Sequence, residues 1–338
     1  MREVAIIILN YNGSSDTIDC VKSLKAMEAQ VPFDVCVFDN GSMVSDYDAL
    51  AECGEFDCIY EMAEFDDVMP ASSDFDKYNT NIPHSMTVLV HSNINLGFAV
   101  GNNRVIGRIK TFYKYVLVLN NDTVVEKTFL KDMYDFMESN DDISFASCVI
   151  NHFDDRSKLW NGGGVLLPWG NRRYYSSRYL ARHGRRVDAS FITGCALMVR
   201  AELIKDRHLF SEDFFFGEED FNLCMKLRAR GIKGACVNKV LVYHKVGATI
   251  RRSSADHLRI AIHFANRVVD MKKFYAPRKW RLWKKGFMAY LWLSCFRWRL
   301  DVKQRRFVLD TVERYAACDK ISRDEYLEIR EDARLISI

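Results

Sequence analysis

A short apolar run at residues 115–119 ends abruptly at Asn120, Asn121 and Asp122. Five consecutive β-prone apolar residues that stop at a turn predict a buried strand. In open α/β sheets, ligands bind beyond the carboxyl ends of the strands. An aspartate at that position adds little to stability but can hold a cation, so the sequence predicts a metal-bound diphosphate there.

Strand and helix patterns alternate along the chain. Strands are predicted at residues 4–9, 33–38, 87–91, 115–119 and 143–150, and helices at 14–27, 98–110 and 128–139. Ser14 or Ser15 is the expected cap of the first helix. After Gly162, strands are predicted at 196–199 and 235–243 and a helix at 218–230. This alternation is typical of an α/β fold with a mostly parallel sheet flanked by helices.

No low-complexity linker divides the chain, and from residue 255 onward the pattern becomes helical and basic. We therefore expect an α/β domain over residues 1–254 and a helical region over 255–338 that packs on it. Residues 55–83 are acidic, contain two prolines, and exceed the roughly two to six residues that usually join a helix to a strand. We predict an insertion there, either a solvated loop or a flap over the ligand site.

The formal net charge of +3 conceals two oppositely charged regions. Charged residues between Asp46 and Asp76 are nearly all acidic, whereas those in 278–306 are nearly all basic. The basic region is also rich in Trp and Phe, and this mixture in a helix suits an anionic membrane surface. The alternative is a helix packed on the catalytic domain or on a homodimer partner. Nucleic acid is not expected as a partner, since nothing else in the sequence supports it.

Several features bear on the compartment. The ten cysteines contain no Cys-x-x-Cys spacing, which is typical of a reducing environment and excludes the usual zinc-ligand patterns. N-glycosylation patterns begin at Asn12, Asn40 and Asn121, all at strand ends where a glycan would block the expected site. No signal-peptide pattern and no apolar stretch of about 18 residues is present. A cytoplasmic location is expected, with peripheral contact to the inner face of the membrane as an option.

Candidate residues for binding a nucleotide follow two strands. Asp39 ends the second strand, where its carboxylate either accepts hydrogen bonds from a ribose or base or forms an Asx turn. The segment 95–103 joins a strand to a helix, and Gly97 allows backbone to approach a phosphate closely. This segment is not Gly-x-Gly-x-x-Gly, which argues against a nicotinamide-dependent enzyme.

Metal and catalytic candidates lie at later strand and helix ends. Asp122 is the expected carboxylate ligand of Mg²⁺ or Mn²⁺, because such ions are often held by one or two carboxylates plus substrate phosphates. His244 follows a strand and is either a second ligand or a structural residue. Three acidic residues at 218–220 exceed what a helix N-terminus needs, so one of them can serve as a general base.

Taken in order, these segments resemble the family 2 glycosyltransferases, especially the rhamnosyltransferase-like branch. The matching segments, which run in family order over roughly residues 3–270, are 7–12, 38–42, 95–103, 119–123, 193–194, 219–224 and 242–248. Two departures from the family pattern are Asn222, where many relatives carry an acid, and Glu218, which replaces an apolar or aromatic residue.

The resemblance implies a GT-A fold, Rossmann-like with a mostly parallel central sheet, and metal-dependent inverting transfer from a nucleotide-diphosphate sugar. It divides the first domain into a nucleotide-binding half (1–125) and an acceptor half (126–254). Asp220 resembles the catalytic base with Glu219 beside it, and Asp122 and His244 resemble the ligands of Mn²⁺ or Mg²⁺. The expected donor-binding residues are Asn10, Asn12, Asp39, Asn95, Gly97, Asn102, Asn103, Asn120, Asn121 and Thr193.

The acceptor implied by the resemblance is a glycan or a lipid-linked glycan, in the synthesis of bacterial surface polysaccharide. One alternative is a module that binds a sugar nucleotide but has lost catalysis. A sugar nucleotidylyltransferase is a third possibility, but it needs a Gly-rich N-terminal loop with a phosphate-binding Arg or Lys, which residues 10–13 lack.

Overall fold

A computed structural model describes residues 2–28, 30–68, 86–204, 206, 208–246 and 256–336. Its strands are β1 (Arg2–Asn10), β2 (Phe33–Asn40), β3 (Cys58–Glu61), β4 (Thr87–Ser92), β5 (Tyr113–Asn120), β6 (Thr123–Val125), β7 (Phe145–His152), β8 (Leu159–Asn161), β9 (Gly164–Leu166), β10 (Arg172–Tyr174), β11 (Arg186–Ala189), β12 (Ala196–Arg200) and β13 (Gly234–His244).

The α-helices, numbered along the described residues, alternate with these strands and then follow them. They are α1 (Ser14–Lys25), α2 (Val44–Ala51), α3 (Met62–Val68), α4 (Phe98–Ile109), α5 (Phe129–Glu138), α6 (Ser177–Leu180), α7 (Glu219–Ala229), α8 (Asp256–Phe274), α9 (Pro277–Arg297), α10 (Val302–Tyr315) and α11 (Arg323–Ile336). Two 3₁₀ turns lie at Lys110–Phe112 and Ala201–Leu203.

The main sheet has the strand order β11-β13-β7-β12-β5-β1-β2-β4-β3. Strands β5, β1, β2, β4 and β3 are mutually parallel, and β12 inserts antiparallel between β5 and β7. The predicted mostly parallel α/β sheet is therefore confirmed. Parallel pairing places the carboxyl ends of β1, β2, β4 and β5 at one edge, and this edge carries the candidate site.

Burial on both faces explains why the central strands are continuously apolar. In β1, Ile6 and Ile8 pack with α1 and α5 on one face, whereas Ile7 packs with α4 on the other. All three isoleucines are fully buried. Strand β5 behaves in the same way, with residues 115–119 divided between the two hydrophobic clusters.

Two local predictions differ from the structure. Part of the predicted insertion at 55–83 is regular, because Cys58–Glu61 forms the edge strand β3 and Met62–Val68 forms α3. The rest of that segment, 69–85, lies outside the described residues. Helix α1 begins after Gly13 without a side-chain cap, and the hydroxyl of Ser14 donates instead to Asp46 at 2.8 Å.

Four helices, α8 to α11, form a hydrophobic cluster of their own against the α/β domain. Residue Ile321, just before α11, bridges Phe214 in the segment that leads to α7. The C-terminal helices therefore contact the loop before α7 directly. In the part of the chain that the structure describes, no helix is long and apolar enough to cross a membrane.

Candidate active site

The turn after β1 is held by a buried hydrogen-bond network. The fully buried Asn10 donates from its amide to Asp39 Oδ1 at 2.7 Å, and to Ser42 Oγ and Asp46 Oδ2 at 3.1 Å each. Because β1 and β2 are parallel and in register at Asn10 and Asp39, both side chains reach the same edge. Asn10 therefore links the end of β1 to the end of β2 and to the segment that follows it.

Asn12 and Asn121 also stabilise this turn. Asn12 adopts a left-handed φ of 52°, its N–H donates to Ser42 Oγ at 2.8 Å, and its Oδ1 accepts from the Met43 N–H at 2.8 Å. The Asn121 amide donates to Thr17 Oγ1 at 3.0 Å. Asn12 Oδ1 and the Asn121 amide, in two side chains predicted to bind the donor, thus form hydrogen bonds within the protein.

Asp39 is fully buried, and both carboxylate oxygens are occupied. Oδ1 accepts from Asn10 and from the Ser42 hydroxyl at 2.5 Å, and Oδ2 lies 2.9 Å from His91 Nδ1. The imidazole of His91 stacks on Tyr47 with ring centroids 3.9 Å apart. The structure thus places His91, at the end of β4, beside the residue that was predicted to contact the nucleotide.

The loop before α4 is tied to β2 and to the segment before α7. The Asn40 amide donates to Asn95 Oδ1 at 3.1 Å and to the Gly97 carbonyl at 3.2 Å. Gly97 has a left-handed φ of 83°, and a Cβ there would lie 2.3 Å from the Phe215 carbonyl oxygen. The next N–H, of Phe98, donates to that same carbonyl at 3.2 Å. Gly97 is therefore needed for this close approach.

Asn102 and Asn103, two predicted donor-binding residues, are both buried in α4. Asn103 is buried, donates to the Phe210 carbonyl and Glu212 Oε1, and accepts from the N–H groups of Leu209 and Phe210. Asn102 is fully buried and donates to the Phe98 carbonyl one turn earlier. The Asn103 amide is therefore occupied by protein, whereas Asn102 Oδ1 is buried without a hydrogen-bond partner among the described residues.

Asp122 and His244 form a close pair at the end of β5. Pairing of β6 with β13 places them together, and Asp122 Oδ1 lies 2.9 Å from His244 Nε2. The ring of Trp160 packs edge-on against the imidazole, with centroids 4.3 Å apart. His244 Nδ1 is buried and has no hydrogen-bond partner within the described residues. The backbone N–H of Lys245 donates to the Asp122 carbonyl, which fixes the connection between the two segments.

This pair is chemically suited to a divalent cation. A carboxylate oxygen and an imidazole nitrogen are both accepted ligands of Mn²⁺, and Mg²⁺ or Mn²⁺ commonly completes its shell with phosphate and water. Among the described residues, no group of three or more His, Cys, Asp and Glu side chains converges as a metal site. Asp122 and His244 therefore fit an incomplete site whose remaining ligands come from a bound molecule.

Asn120 and Thr193 lie where β5 meets the segment before β12. The Asn120 N–H donates to the Cys195 carbonyl at 2.8 Å, and the Asn120 side chain makes no hydrogen bond within the described residues. Thr193 is buried, and its hydroxyl oxygen lies 3.3 Å from the Cys195 N–H that donates to it. The Asn120 side chain is therefore free of protein hydrogen bonds among the described residues, whereas the Thr193 hydroxyl already accepts one.

Asp220 lies in the first turn of α7, opposite the backbone of Gly194. Its side chain remains a quarter exposed, and its Oδ1 lies 4.0 Å from Arg172 NH1. Burial raises the pKa of the Asp220 carboxyl above its ordinary value, whereas Arg172 and the backbone N–H groups of Phe221 and Gly194 oppose that rise. Asp220 is thus an accessible carboxylate with an increased affinity for a proton, which suits a general base.

Glu219, the neighbour of Asp220, is buried. The Gly217 N–H donates to its Oε1 at 2.6 Å, and the residue is only 7% exposed. Burial raises the pKa of the Glu219 carboxyl to about 8, and the backbone N–H groups of Glu219 and Gly217 only partly oppose that rise. At neutral pH the two adjacent carboxyls therefore differ in environment, and the accessible one with a cationic partner is Asp220.

The sequence profile described as glycosyl transferase family group 2 matches residues 115–311, more than half of the chain. The chain belongs to this family. The predicted membership is therefore confirmed, and the glycosyltransferase profile covers Asp122, Asp220 and His244. None of the curated proteins matches the chain.

Solved structures of similar fold support the same architecture. TarS 1-349 of S. aureus, in complex with UDP-GlcNAc, has a TM-score of 0.53 at 13% identity, over 98% of this chain and 92% of that one. The mannosyltransferase PcManGT from Pyrobaculum calidifontis, in complex with GDP-Man and Mn²⁺, has a TM-score of 0.52 at 15% identity, over 100% and 81%. GalNAc-T7 with UDP, GalNAc and Mn²⁺ has a TM-score of 0.56 at 13% identity, over 97% and 56%. The predicted GT-A fold is confirmed.

Three residues that the structure places beside the predicted site residues were missed from the sequence. His91 ends β4 beside Asp39, and the strand-end argument that selected Asp39 could have selected it too. Arg172 lies about fifty residues before Asp220 in sequence, and no local pattern indicated their contact. Arg267 lies about fifty residues after Glu218 in sequence, so its contact there has no local sequence signal.

Proposed function

We propose that this glycosyltransferase moves a sugar from a nucleotide-diphosphate sugar to an acceptor hydroxyl in one displacement that inverts the anomeric carbon. The supporting observation is that an incomplete cation site, Asp122 with His244, and a separate accessible carboxylate, Asp220, flank the end of β5. The segment 193–195 connects them, because it pairs with Asn120 on one side and faces Asp220 on the other.

The donor half of the proposal rests on the edge formed by β1, β2, β4 and β5. Solved structures of similar fold contain UDP-GlcNAc, or GDP-Man with Mn²⁺, and we propose the same class of donor here. A cation bound by Asp122 and His244 would neutralise the diphosphate as it leaves. The side chain of Asn120 and the backbone around Gly97 are the groups we assign to donor contact.

The acceptor half rests on Asp220. A carboxylate with a raised pKa can take a proton from a hydroxyl as the oxygen attacks the anomeric carbon. Glu219 holds the turn through Gly217, so we assign it a structural role beside the base. We propose a hexosyl- or rhamnosyl-type transfer to a glycan or lipid-linked glycan of bacterial surface polysaccharide.

The decisive test compares Asp220→Asn with Asp122→Ala. We expect Asp220→Asn to abolish release of nucleoside diphosphate from UDP-, dTDP- or GDP-sugars while thermal shifts by nucleotide and Mn²⁺ persist. Asp122→Ala should weaken the Mn²⁺-dependent thermal shift. Near-normal turnover in Asp220→Asn would refute the base assignment. Wild-type protein that binds sugar nucleotides but never releases nucleotide, with or without glycan acceptors, would support an inactive binding module instead.

The incomplete cation site predicts a further dependence within the same experiment. With one carboxylate and one imidazole, Mn²⁺ alone should raise the unfolding temperature little, and Mn²⁺ with nucleoside diphosphate should raise it clearly. The physical reason is that the diphosphate supplies the missing oxygen ligands. A large shift by Mn²⁺ alone that disappears in Asp122→Ala would contradict this shared coordination.

A further inference from the structure

Arg172 extends from the hairpin of β9 and β10 to two carboxylates at the start of α7. Its NH1 lies 3.4 Å from Glu218 Oε1 and 4.0 Å from Asp220 Oδ1. Its Nε donates to the Tyr174 hydroxyl at 2.6 Å, and its guanidinium lies 4.9 Å from the centroid of the Phe191 ring. These contacts hold the Arg172 guanidinium between the carboxylates of Glu218 and Asp220.

Glu218 does not depend on Arg172 alone. Arg267 of α8 contacts Glu218 Oε2 at 2.6 Å, and His263 Nδ1 lies 2.7 Å from Oε1. Arg267 also stacks on Phe221, with its guanidinium 3.6 Å from the ring centroid. Burial alone would raise the pKa of Glu218, but Arg267, His263 and Arg172 outweigh it and lower the pKa. Glu218 is therefore an ionised, almost fully buried carboxylate that keeps two partners when Arg172 is removed.

We propose that Arg172 is a positioning residue that holds the Asp220 carboxyl ionised and oriented, and that Glu218 shares its charge so that Asp220 remains basic. This inference rests on the proposed function, since it assigns the tuning of the same base. Among the described residues, the titratable groups that face Asp220 are the cation of Arg172, the carboxyls of Glu218 and Glu219, the phenol of Tyr174 and the thiols of Cys195 and Cys224.

The two neighbouring charges act on Asp220 in opposite directions. Arg172 lowers the pKa of Asp220 and Glu218 raises it, on top of the rise caused by burial. An opposite charge within about 4–6 Å typically lowers a carboxyl pKa by roughly one to three units. Removing the cation should therefore shift protonation of Asp220 to higher pH, and removing the Glu218 charge should shift it to lower pH.

The test is the pH profile of nucleoside diphosphate release from a UDP-, dTDP- or GDP-sugar at saturating Mn²⁺. In Arg172→Gln, we expect the acidic limb of the profile to move up by about one pH unit or more, with the rate recovering at high pH. In Glu218→Gln, the limb should move down. Arg172→Lys, which keeps the charge, should bring the limb back towards wild type.

Arg173→Gln is the matched control, because Arg173 is the exposed neighbour on the same strand and its side chain makes no hydrogen bond or ion pair within the described residues. An equal loss of rate at every pH in Arg172→Gln would indicate a structural role and overturn the proposal. If thermal unfolding shows that Arg172→Gln does not fold, an unshifted limb in Glu218→Gln overturns it. Turnover retained by Asp220→Asn would instead refute the proposed function.

Discussion

At the scale of single residues, the Asp39–His91 pair changes how a nucleotide is expected to be recognised. A carboxylate can only accept hydrogen bonds, so the contact with Asp39 Oδ2 requires a proton on His91 Nδ1. In the tautomer that carries its only ring proton on Nδ1, His91 Nε2 has a lone pair that can accept a hydrogen bond. An acceptor of this kind matches the ring N–H of uracil, thymine or guanine.

We therefore predict that His91→Ala weakens binding of UDP or GDP, measured calorimetrically with Mn²⁺, by about tenfold, since a lost hydrogen bond typically costs roughly 0.5–1.5 kcal/mol. His91→Gln, which retains an acceptor, should lose less. His208→Ala, at an exposed site paired with Glu212, serves as the control. Unchanged affinity in His91→Ala would show that the base is recognised elsewhere.

Glu219 provides a second prediction, on stability and pH. Its folded pKa, raised to about 8 by burial, lies above the ordinary value of 4.5. Between these values the unfolded chain is ionised while the folded protein retains the proton, so the stability present below pH 4.5 is lost as pH rises towards 8. Glu219→Gln removes this loss of stability. In the wild type, the free energy of unfolding attributable to Glu219 should fall by at most about 1.4 kcal/mol per pH unit.

The measurement is urea unfolding of wild type and Glu219→Gln at several pH values between 5 and 8. The variant should gain stability relative to wild type as the pH increases. Asp188→Asn, at an exposed carboxyl on β11, controls for changes in surface charge. A stability difference that stays constant across this range would show that Glu219 ionises freely in the folded protein.

The residue-level predictions from sequence depended on strand ends. Asp122 could be selected because chemistry-bearing side chains cluster at the carboxyl edge of a parallel sheet. Asp220 was selected instead from the excess of acidic residues at a helix N-terminus and from the family resemblance. Asn103 was assigned to the donor although its amide binds residues 209–212, a contact more than 100 positions away in sequence. Local patterns do not reveal such partners, so a polar residue in a motif can be selected for packing as easily as for a ligand.

At the scale of elements, the conformation of the loop before α4 requires glycine at position 97. Its left-handed φ and the approach of the Phe215 carbonyl both exclude a side chain. We predict that Gly97→Ala destabilises the protein and weakens nucleotide binding, because the 95–98 loop must move away from Phe215. Urea unfolding and thermal shift by nucleotide with Mn²⁺ measure the two effects.

Gly54→Ala separates backbone strain from steric conflict. Gly54 has a similar φ of 73°, but a Cβ there would meet nothing within 4 Å. Its replacement should cost only the left-handed backbone penalty, about 1–2 kcal/mol, and leave nucleotide binding intact. Equal effects of the two substitutions on binding would mean that contact with Phe215 is irrelevant to the donor site.

Element order and type were largely predictable, because long apolar runs and helical spacing identify β1, β2, β5 and their helices. The antiparallel insertion of β12 between β5 and β7 was not predictable, since its four or five apolar residues indicate a strand but not its direction or neighbours. The edge strand β3 was also missed. Its residues are alternately half-buried and exposed within an acidic segment, so its composition does not indicate a strand. The strand forms because it pairs with β4.

At the scale of the whole molecule, α8 joins the C-terminal region to the catalytic segment. Asn266 donates to the carbonyls of Phe216 and Gly217, Arg267 binds Glu218, and Asp270 Oδ1 accepts from Asn222 at 2.6 Å. Burial raises the pKa of Asp270 well above its ordinary value. The helical region is therefore part of the support for Asp220, and its deletion would disrupt the site whatever its role at a membrane.

Point substitutions on α9 test the predicted membrane contact without deleting the helices that support Asp220. Leu291 and Cys295 are buried against the other C-terminal helices, whereas Leu293 is 62% exposed and Tyr290 and Phe296 are about half exposed. Basic residues lie along the same helix, from Arg278 to Arg297. An exposed apolar surface among cations suits the interface of an anionic bilayer.

We predict that the protein co-sediments with vesicles containing phosphatidylglycerol but not with neutral phosphatidylcholine vesicles. Leu293→Glu should reduce the bound fraction about tenfold or more, because burying a leucine side chain contributes roughly 1.5–3 kcal/mol and a carboxylate opposes an anionic surface. Leu335→Glu, at a 66% exposed position on α11, should bind like wild type. Equal binding by both variants would exclude α9 as the contact. Loss of a dimer in Leu293→Glu, seen by light scattering without vesicles, would assign this surface to a second copy of the chain instead.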